Sequence, residues 1–160
     1  MSANITRYQH GVMVVWQQTG LLITGQPGVG KSSLALALIE LGGQLVADDC
    51  IDIVSDNDWL TARCPPKIIG LLHHRELGLL DIRAMFGSDA FCPAAKIDAV
   101  ISLSLTPTAL LDESATVEML AGKALPKLSL TVSNPLPLPS RVALWLKSRS
   151  NPTPEIAGSV

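Results

Sequence analysis

The sequence predicts a single α/β domain with a mixed β-sheet, and three observations predict it. Apolar segments of strand length recur along the chain, separated by glycine, proline and acidic residues. A segment with helical composition, residues 31–41, directly follows one strand and its glycine-rich loop. No repeat with a period of roughly 20 to 50 residues and no compositional linker divides the 160 residues. We expect one domain over residues 1–150 and a disordered tail over residues 151–160.

The first elements predicted are two short strands, Val12–Trp16 and Leu21–Thr24. The segment Gln17–Gly20 joins them, which predicts a hairpin with a glycine-assisted turn. The second strand leads straight into a glycine-rich segment.

The next element is a helix over Lys31–Leu41, with its leucines at positions 34, 38 and 41 on one face. The pair Gly42-Gly43 supplies its end. A strand over Gln44–Ala47 follows and ends on Asp48-Asp49. The apolar residues 50–54 either continue this strand or form another.

The second half of the chain is less regular. Proline breaks the chain after Cys64, and the apolar positions around Leu79 predict core. Later strands are predicted over residues 99–105 and 128–132. The proline-rich residues 134–139 are expected to be extended, before a terminal helix over residues 141–147.

The segment between the second strand and the first helix carries a phosphate-binding motif. Residues 25–32 read Gly-Gln-Pro-Gly-Val-Gly-Lys-Ser, the pattern of a P-loop. Glycine lets successive backbone N–H groups point inward at the start of a helix, where the helix dipole also favours anions. Lys31 would reach the outer phosphates of a nucleotide, and the Ser32 hydroxyl would coordinate its Mg²⁺. The predicted nucleotide-binding residues are Gly25, Gly28, Val29, Gly30, Lys31, Ser32 and Ser33.

The acidic pair after the next strand predicts chemistry at this loop. A carboxylate near the phosphates distinguishes an enzyme that transfers a phosphoryl group from a protein that only binds one. One carboxylate of Asp48-Asp49 could hold Mg²⁺ while the other accepts a proton. Solvated turn carboxylates are the alternative for such a pair.

Composition excludes several other classes of function. The net charge is −2, from 12 basic and 14 acidic scattered residues, which does not predict binding to nucleic acid or to an anionic membrane. The polar N-terminus does not read as a signal peptide, and no apolar run approaches the roughly 20 residues of a membrane span. The three cysteines lie far apart without zinc-ligand spacing. We expect buried thiols in a soluble, cytoplasmic protein.

Taken together, these segments resemble the HPr kinase/phosphorylase family, bacterial enzymes that phosphorylate a serine of the phosphocarrier protein HPr. The chain resembles the compact members that consist of the C-terminal kinase core. The segments that carry the resemblance are 10–14 (His-Gly-Val-Met-Val), the P-loop, 45–49 (Leu-Val-Ala-Asp-Asp), 70–82 and 139–141 (Pro-Ser-Arg).

The resemblance implies site residues, substrates and partners. It implies that Asp48 accepts the proton of the target serine, with Asp49 beside it and His10 near enough to tune the acidity of Asp48. Arg75 would stabilise the transferring charge, as would Arg141 unless these arginines are surface ion-pair partners. ATP and Mg²⁺ are the implied cofactors, an HPr-like phosphocarrier is the implied partner, and a homo-oligomer is implied by the hexamers of longer members.

The chain departs from the family's pattern at two positions. The family usually has glutamate after the P-loop serine, where this chain has Ser33. The family's second signature usually reads Leu-Glu-x-Arg-Gly-x-Gly, whereas residues 72–78 read Leu-His-His-Arg-Glu-Leu-Gly, so that His73 replaces a metal-binding glutamate. Imidazole is a poor ligand for Mg²⁺. Either Glu76 or Asp49 compensates as a ligand beside Ser32, the metal preference shifts, or catalysis is weakened.

Three functions follow from these observations. The first is an ATP-dependent serine protein kinase, with or without a phosphorylase back-reaction, acting on an HPr-like carrier. The departures at Ser33 and His73 favour a catalytically silent nucleotide-binding regulator as the alternative. A small-molecule P-loop kinase is the third, although the arginine-rich lid typical of those enzymes has no counterpart between residues 97 and 140.

Overall fold

A computed structural model describes residues 4–106 and 116–150 of the chain. The predicted tail, residues 151–160, lies outside the described residues. The strands are β1 (Asn4–Trp16), β2 (Thr19–Gly25), β3 (Gln44–Ser55), β4 (Leu60–Arg63), β5 (Leu71–His74), β6 (Gly78–Asp81), β7 (Ala94–Lys96), β8 (Ala99–Ser104), β9 (Val117–Leu120) and β10 (Lys123–Thr131). The helices are α1 (Lys31–Glu40), α2 (Ile82–Phe86) and α3 (Leu138–Ser150), and short 3₁₀ turns cover Pro66–Ile68 and Ser88–Ala90.

The predicted mixed sheet is confirmed. Eight strands form one sheet in the order β7-β4-β3-β1-β2-β8-β10-β9. The neighbours β2, β8 and β10 run parallel, and the other pairs run antiparallel. Strands β5 and β6 form a separate antiparallel hairpin. The P-loop therefore starts where the parallel strand β2 ends, beside the centre of the large sheet.

Side chains alternate along the central strands, so each face of the sheet receives its own set of buried apolar residues. On one face Val14 and Ile23 pack with Leu34 and Leu38 of α1, and α3 adds Val142. The other face holds a second apolar cluster, which includes Met13, Leu22, Val46 and Ile53. Partly buried Leu120 of β9 and Leu125 of β10 cover this second cluster, so the curled sheet covers its own surface.

The hairpin between β1 and β2 turns more tightly than the sequence predicts. Its turn residues are Gln17 and Gln18, both in the left-handed region at φ 51° and 62°. Gly20 belongs to β2, and the reason is packing, because a Cβ there would lie 1.8 Å from the Lys96 carbonyl oxygen. The predicted glycine-assisted turn was therefore wrong in the role it gave to Gly20.

The predicted end of helix α1 is confirmed, but Leu41 was placed wrongly on its buried face. The N–H groups of Gly42 and Gly43 donate to the carbonyls of Ile39 (3.0 Å) and Leu38 (2.8 Å), which forms a Schellman cap. Leu41 is the C-cap residue and is 59% exposed, because the helix has already ended before it.

Two other expectations need correction. Leu79 was expected in the core but is 66% exposed, because it lies on the outer face of the β5–β6 hairpin. Helix α3 begins at Leu138, so Pro139 lies in its first turn, where its missing N–H leaves no hydrogen bond unmade. Arg141 donates to the carbonyls of Leu136 and Thr131 (2.8 Å each), which ties α3 to β10.

Candidate functional site

The P-loop adopts the predicted strand–loop–helix geometry. Gly25, Gly28 and Gly30 have φ values of 149°, 81° and 111°, which side chains rarely tolerate. A Cβ at Gly25 would also lie 2.7 Å from the Leu103 carbonyl oxygen of the neighbouring strand. The side chain of Val29 is buried in the core, so only its backbone can face a ligand.

Lys31 lies at the start of α1 and closes the loop on itself. Its Nζ donates to the carbonyl oxygens of Gly25 (2.8 Å) and Gln26 (3.0 Å). Burial lowers the pKa of Lys31, against the opposing effect of the Asp49 and Asp48 carboxylates. The cation is therefore held at the loop, where it can exchange loop carbonyls for phosphate oxygens.

A bulge between β1 and β3 builds the next part of the site. The strands pair Gln9 with Cys50 and Val12 with Asp48, which leaves His10 and Gly11 opposite Asp49 alone. His10 and Asp49 both take left-handed backbone angles, φ 69° and 71°. Such angles in residues other than glycine are concentrated at functional sites. Residues 50–54 thus continue β3, which settles the alternative that the sequence left open.

The bulge pairs His10 with Asp49. His10 Nδ1 lies 3.2 Å from Asp49 Oδ1, and both side chains are exposed. The resemblance implied that His10 lies near enough to Asp48 to tune its acidity; both residues line the same cleft, and that role stays a prediction. Bulged backbone turns the two neighbouring carboxylates in different directions, so that only Asp49 meets the imidazole.

Asp48 connects the P-loop helix with strand β5. Its Oδ1 accepts from Ser32 Oγ at 3.4 Å, and its Oδ2 accepts from the His73 backbone N–H at 2.8 Å. Burial raises the pKa of Asp48, and the nearby Asp49 charge adds to this rise, while the bonds from His73 and Ser32 oppose it. A half-buried carboxylate with a raised pKa is suited to proton transfer.

We expect Asp48→Asn to raise the melting temperature at neutral pH. A raised native pKa means that the native state of the wild type binds more protons than the unfolded state, so stability falls as the pH rises from about 3.9 through the native value. Asparagine does not titrate and keeps an oxygen to accept from His73. The gain should be largest above the native pKa and should vanish in acid, as measured by thermal unfolding between pH 3 and 8.

The matched control is Asp52→Asn on the same strand, because that carboxylate pairs with the exposed Arg7 at 3.0 Å. It should give no gain in melting temperature. A lower melting temperature for Asp48→Asn, or a difference that does not change with pH, would contradict the burial argument.

Two clefts meet over the P-loop and share four lining residues, Pro27, Lys31, Ser32 and His73. The first, of about 300 Å³, contains the sheet side of the site. Its other lining residues are His10, Gly11, Val12, Asp48 and Asp49. The second, of about 650 Å³, contains the helix and hairpin side. Its other lining residues are Gly28, Gly30, Ser33, His74, Arg75 and Glu76.

The β5–β6 hairpin brings Arg75 to the loop. A Cβ added at Gly28 would lie 3.1 Å from Arg75 Nη1, so the guanidinium stands directly over the loop backbone. Guanidinium groups bind phosphate oxygens through two parallel donors. Arg75 is therefore placed where it could contact a phosphate group held by the loop, and its role in stabilising the transferring charge stays a prediction.

The predicted metal ligands are only partly brought together. Ser32 and Asp49 line the first cleft, whereas Glu76 lines the second with Ser32. Within residues 4–106 and 116–150, no three His, Cys, Asp or Glu side chains are grouped to hold a metal alone. Mg²⁺ bound with nucleotide needs only one or two protein carboxylates. The oxygen donors of Ser32, Asp48 and Asp49 suit that ion.

Sequence reasoning missed one residue of the site. No site role was predicted for His74, but its Nε2 lies 2.9 Å from Ser33 Oγ. The strand alternation places His74 on the face of β5 that carries the fully buried Leu72. That period of two is the signal from which its inward orientation could have been predicted.

Two further expectations concern the cysteines and membrane-spanning segments. The three cysteines are free and only half-buried, so the expected full burial was wrong. In the described part of the chain, no helix combines the length and apolar character that crossing a membrane requires.

Comparisons with known proteins identify the family of this chain. The family model for the HPr Serine kinase C-terminal domain matches residues 3–135. The HPr kinase/phosphorylase of Geobacillus thermodenitrificans is 45% identical over 97 residues, which cover 60% of this chain and 31% of that protein. The enzyme of the same name from Burkholderia lata is 40% identical over 129 residues, which cover 78% of this chain and 40% of that protein.

A protein of known structure has the same fold as this chain. The HPr(Ser) kinase/phosphatase from Coxiella burnetii matches with a TM-score of 0.80 and 30% identity, over 91% of this chain and 90% of that one. The chain spans less than half the length of the curated relatives that it matches. A P-loop with an acidic pair at its mouth, a mixed sheet and a match over residues 3–135 lead to one conclusion: this chain belongs to the HPr kinase/phosphorylase family, as an HPr serine kinase C-terminal domain.

Proposed function

We propose that this chain is an ATP-dependent serine protein kinase that acts on an HPr-like phosphocarrier protein and also supports the reverse, phosphorylase reaction. The observation that carries the proposal is the position of Asp48. Its carboxylate contacts Ser32 of the P-loop and lines the cleft that Lys31 also lines. A general base and a phosphate-binding cation therefore face one space.

Nucleotide binding is assigned to the P-loop and the residues that stand over it. The backbone N–H groups of the first turn of α1 have no partners within the helix and are available to a phosphate group of the nucleotide. Lys31 exchanges its two loop carbonyls for phosphate oxygens, and Arg75 stands over the loop at Gly28. Mg²⁺ bound with ATP would neutralise phosphate charge, and the chain offers it the Ser32 hydroxyl and the Asp49 carboxylate, with Glu76 nearby in the second cleft.

Asp48 performs the proton transfer. As the serine oxygen of the carrier attacks the terminal phosphorus and the bond from phosphorus to the leaving ADP oxygen breaks, Asp48 accepts the hydroxyl proton. A carboxylate has about four lone-pair positions, so its bonds to Ser32 and His73 leave room for this third group. In the phosphorylase direction inorganic phosphate attacks the phosphorus of the phosphoserine and forms pyrophosphate, the bond from phosphorus to the serine oxygen breaks, and protonated Asp48 gives its proton to that oxygen. Burial favours the protonated form of Asp48.

The proposal extends to the surroundings of the protein. Three free cysteines fit the reducing cytoplasm, which is where we place the reaction. The proposed partner is a folded protein that presents a serine to the first cleft, which is lined by the exposed His10–Asp49 pair.

The test is phosphorylation of a carrier by the purified chain. We expect incubation with ATP, Mg²⁺ and a panel of HPr-like carriers to give phosphoserine on at least one carrier, detected by mass spectrometry. ATP binding without any transfer would support the silent regulator instead. Rapid ATP turnover with small hydroxyl compounds, but not with carriers, would support the small-molecule kinase.

A further inference from the structure

His74 joins the β5–β6 hairpin to the start of helix α1. On one side its Nδ1 lies 3.2 Å from the backbone nitrogens of both Glu76 and Leu77, in the turn of the hairpin. On the other side its Nε2 lies 2.9 Å from Ser33 Oγ. One imidazole therefore bridges two segments that are about 40 residues apart in sequence, and both line the second cleft.

The surrounding groups determine which nitrogen of His74 carries hydrogen. Two backbone N–H groups donate to Nδ1, so Nδ1 must be an acceptor without hydrogen of its own. In a neutral imidazole the hydrogen is then on Nε2. Nε2 therefore donates to Ser33 Oγ, and the imidazole cannot act as a base toward that hydroxyl.

This direction of donation determines what Ser33 can do. A hydroxyl that accepts a hydrogen bond still has its own hydrogen to donate. Ser33 lies in the first turn of α1, next to Ser32, and shares the second cleft with Lys31 and Gly28. Its free hydrogen is thus available to an anion in a cleft where Lys31 and Arg75 also donate and where Glu76 is the carboxylate of the lining.

We propose that His74 is a positioning residue that fixes the Ser33 hydroxyl as a hydrogen-bond donor to a phosphate oxygen of a nucleoside diphosphate or triphosphate. The inference rests on the proposed function, because it requires a nucleotide in the second cleft. It gives Ser33 a role as a neutral donor. It also gives His74 a role beyond holding the turn of the hairpin.

The two roles of His74 can be separated with asparagine. An asparagine side chain accepts hydrogen bonds from backbone N–H groups a few residues ahead, which preserves the turn at Glu76 and Leu77. It is too short to reach Ser33. His74→Asn therefore keeps the hairpin and removes only the contact with Ser33, whereas Ser33→Ala removes the donor itself and Ser33→Thr keeps it.

The experiment measures ADP affinity by calorimetry, with thermal unfolding of each variant. We expect Ser33→Ala and His74→Asn each to raise the Kd for ADP about tenfold, as for one hydrogen bond to a charged group, with similar melting temperatures. The double variant should bind no worse than Ser33→Ala alone, because His74 acts through Ser33. Ser33→Thr should bind ADP nearly as well as the wild type.

Four results would overturn the inference. ADP binding by His74→Asn with wild-type affinity would leave His74 with the turn alone. Additive losses in the double variant would mean that His74 does not act through Ser33. A wild type without ADP affinity would overturn the proposed function as well. Nitrogen-15 spectra of the imidazole separate these failures, because hydrogen on Nδ1 would refute the His74–Ser33 geometry whether or not ADP binds.

Discussion

Replacing Asp48 with asparagine is expected to lower kcat for phosphorylation of the carrier by roughly 10²- to 10⁴-fold, the usual contribution of a positioned general base. Asparagine keeps an oxygen for the His73 N–H and a polar group for Ser32, so the cleft should keep its shape. It cannot accept the serine proton. Initial rates of phosphoserine formation at saturating ATP measure the effect.

Nucleotide affinity separates this effect from a general loss of the site. The Kd for ADP should stay near the wild-type value in Asp48→Asn, because Lys31 and the loop remain in place. Asp52→Asn, on the same strand and paired with exposed Arg7, should keep the wild-type rate. A wild-type rate in Asp48→Asn would remove this residue as the base and leave Asp49 as the next candidate.

The second large effect is expected at Lys31. Lys31→Met should raise the Kd for ATP and ADP by roughly 10- to 100-fold, because a charge-assisted hydrogen bond contributes about 1.5 to 3 kcal/mol and each 1.4 kcal/mol is a factor of ten. Methionine keeps much of the length of the lysine stem but cannot donate. Calorimetric titration of both nucleotides measures the change.

Comparison with AMP shows whether Lys31 acts on the outer phosphates. The lysine of a P-loop reaches the β- and γ-phosphates, so the affinity for AMP should change much less than that for ADP. Lys67→Met, an exposed lysine on the 3₁₀ turn Pro66–Ile68, is the control for loss of one positive charge. Equal losses for AMP and ADP would contradict the assignment of Lys31 to the outer phosphates.

Local sequence was enough to predict the glycine-rich loop of the site. The requirement for glycine at positions 25, 28 and 30 comes from backbone angles that other residues rarely adopt, so composition alone indicates the loop. The acidic pair was found by its place after a predicted strand. Both inferences depend only on residues that are neighbours in sequence, which is why the loop and the acidic pair could be predicted without a structure.

The contacts between distant segments of the site could not be predicted from local sequence. The pairing of His10 with Asp49 depends on a bulge in an antiparallel register, where one extra residue on β1 decides which carboxylate meets the imidazole. The exposure of Leu79 depends on the orientation of the β5–β6 hairpin. The apolar character of a residue does not show which face of a two-stranded hairpin packs against the rest of the protein.

By itself the sequence determined that this chain builds a glycine-rich loop of the P-loop pattern between a buried strand and a helix, and it identified the acidic pair Asp48-Asp49, which the structure places within β3. Those features follow from the conformational freedom of glycine and from local periodicity. Only the tertiary structure decided that Asp48 contacts Ser32, that Arg75 stands over Gly28 and that His74 meets Ser33. The reason is that strand register and the docking of the hairpin depend on how distant segments bury their apolar surface together.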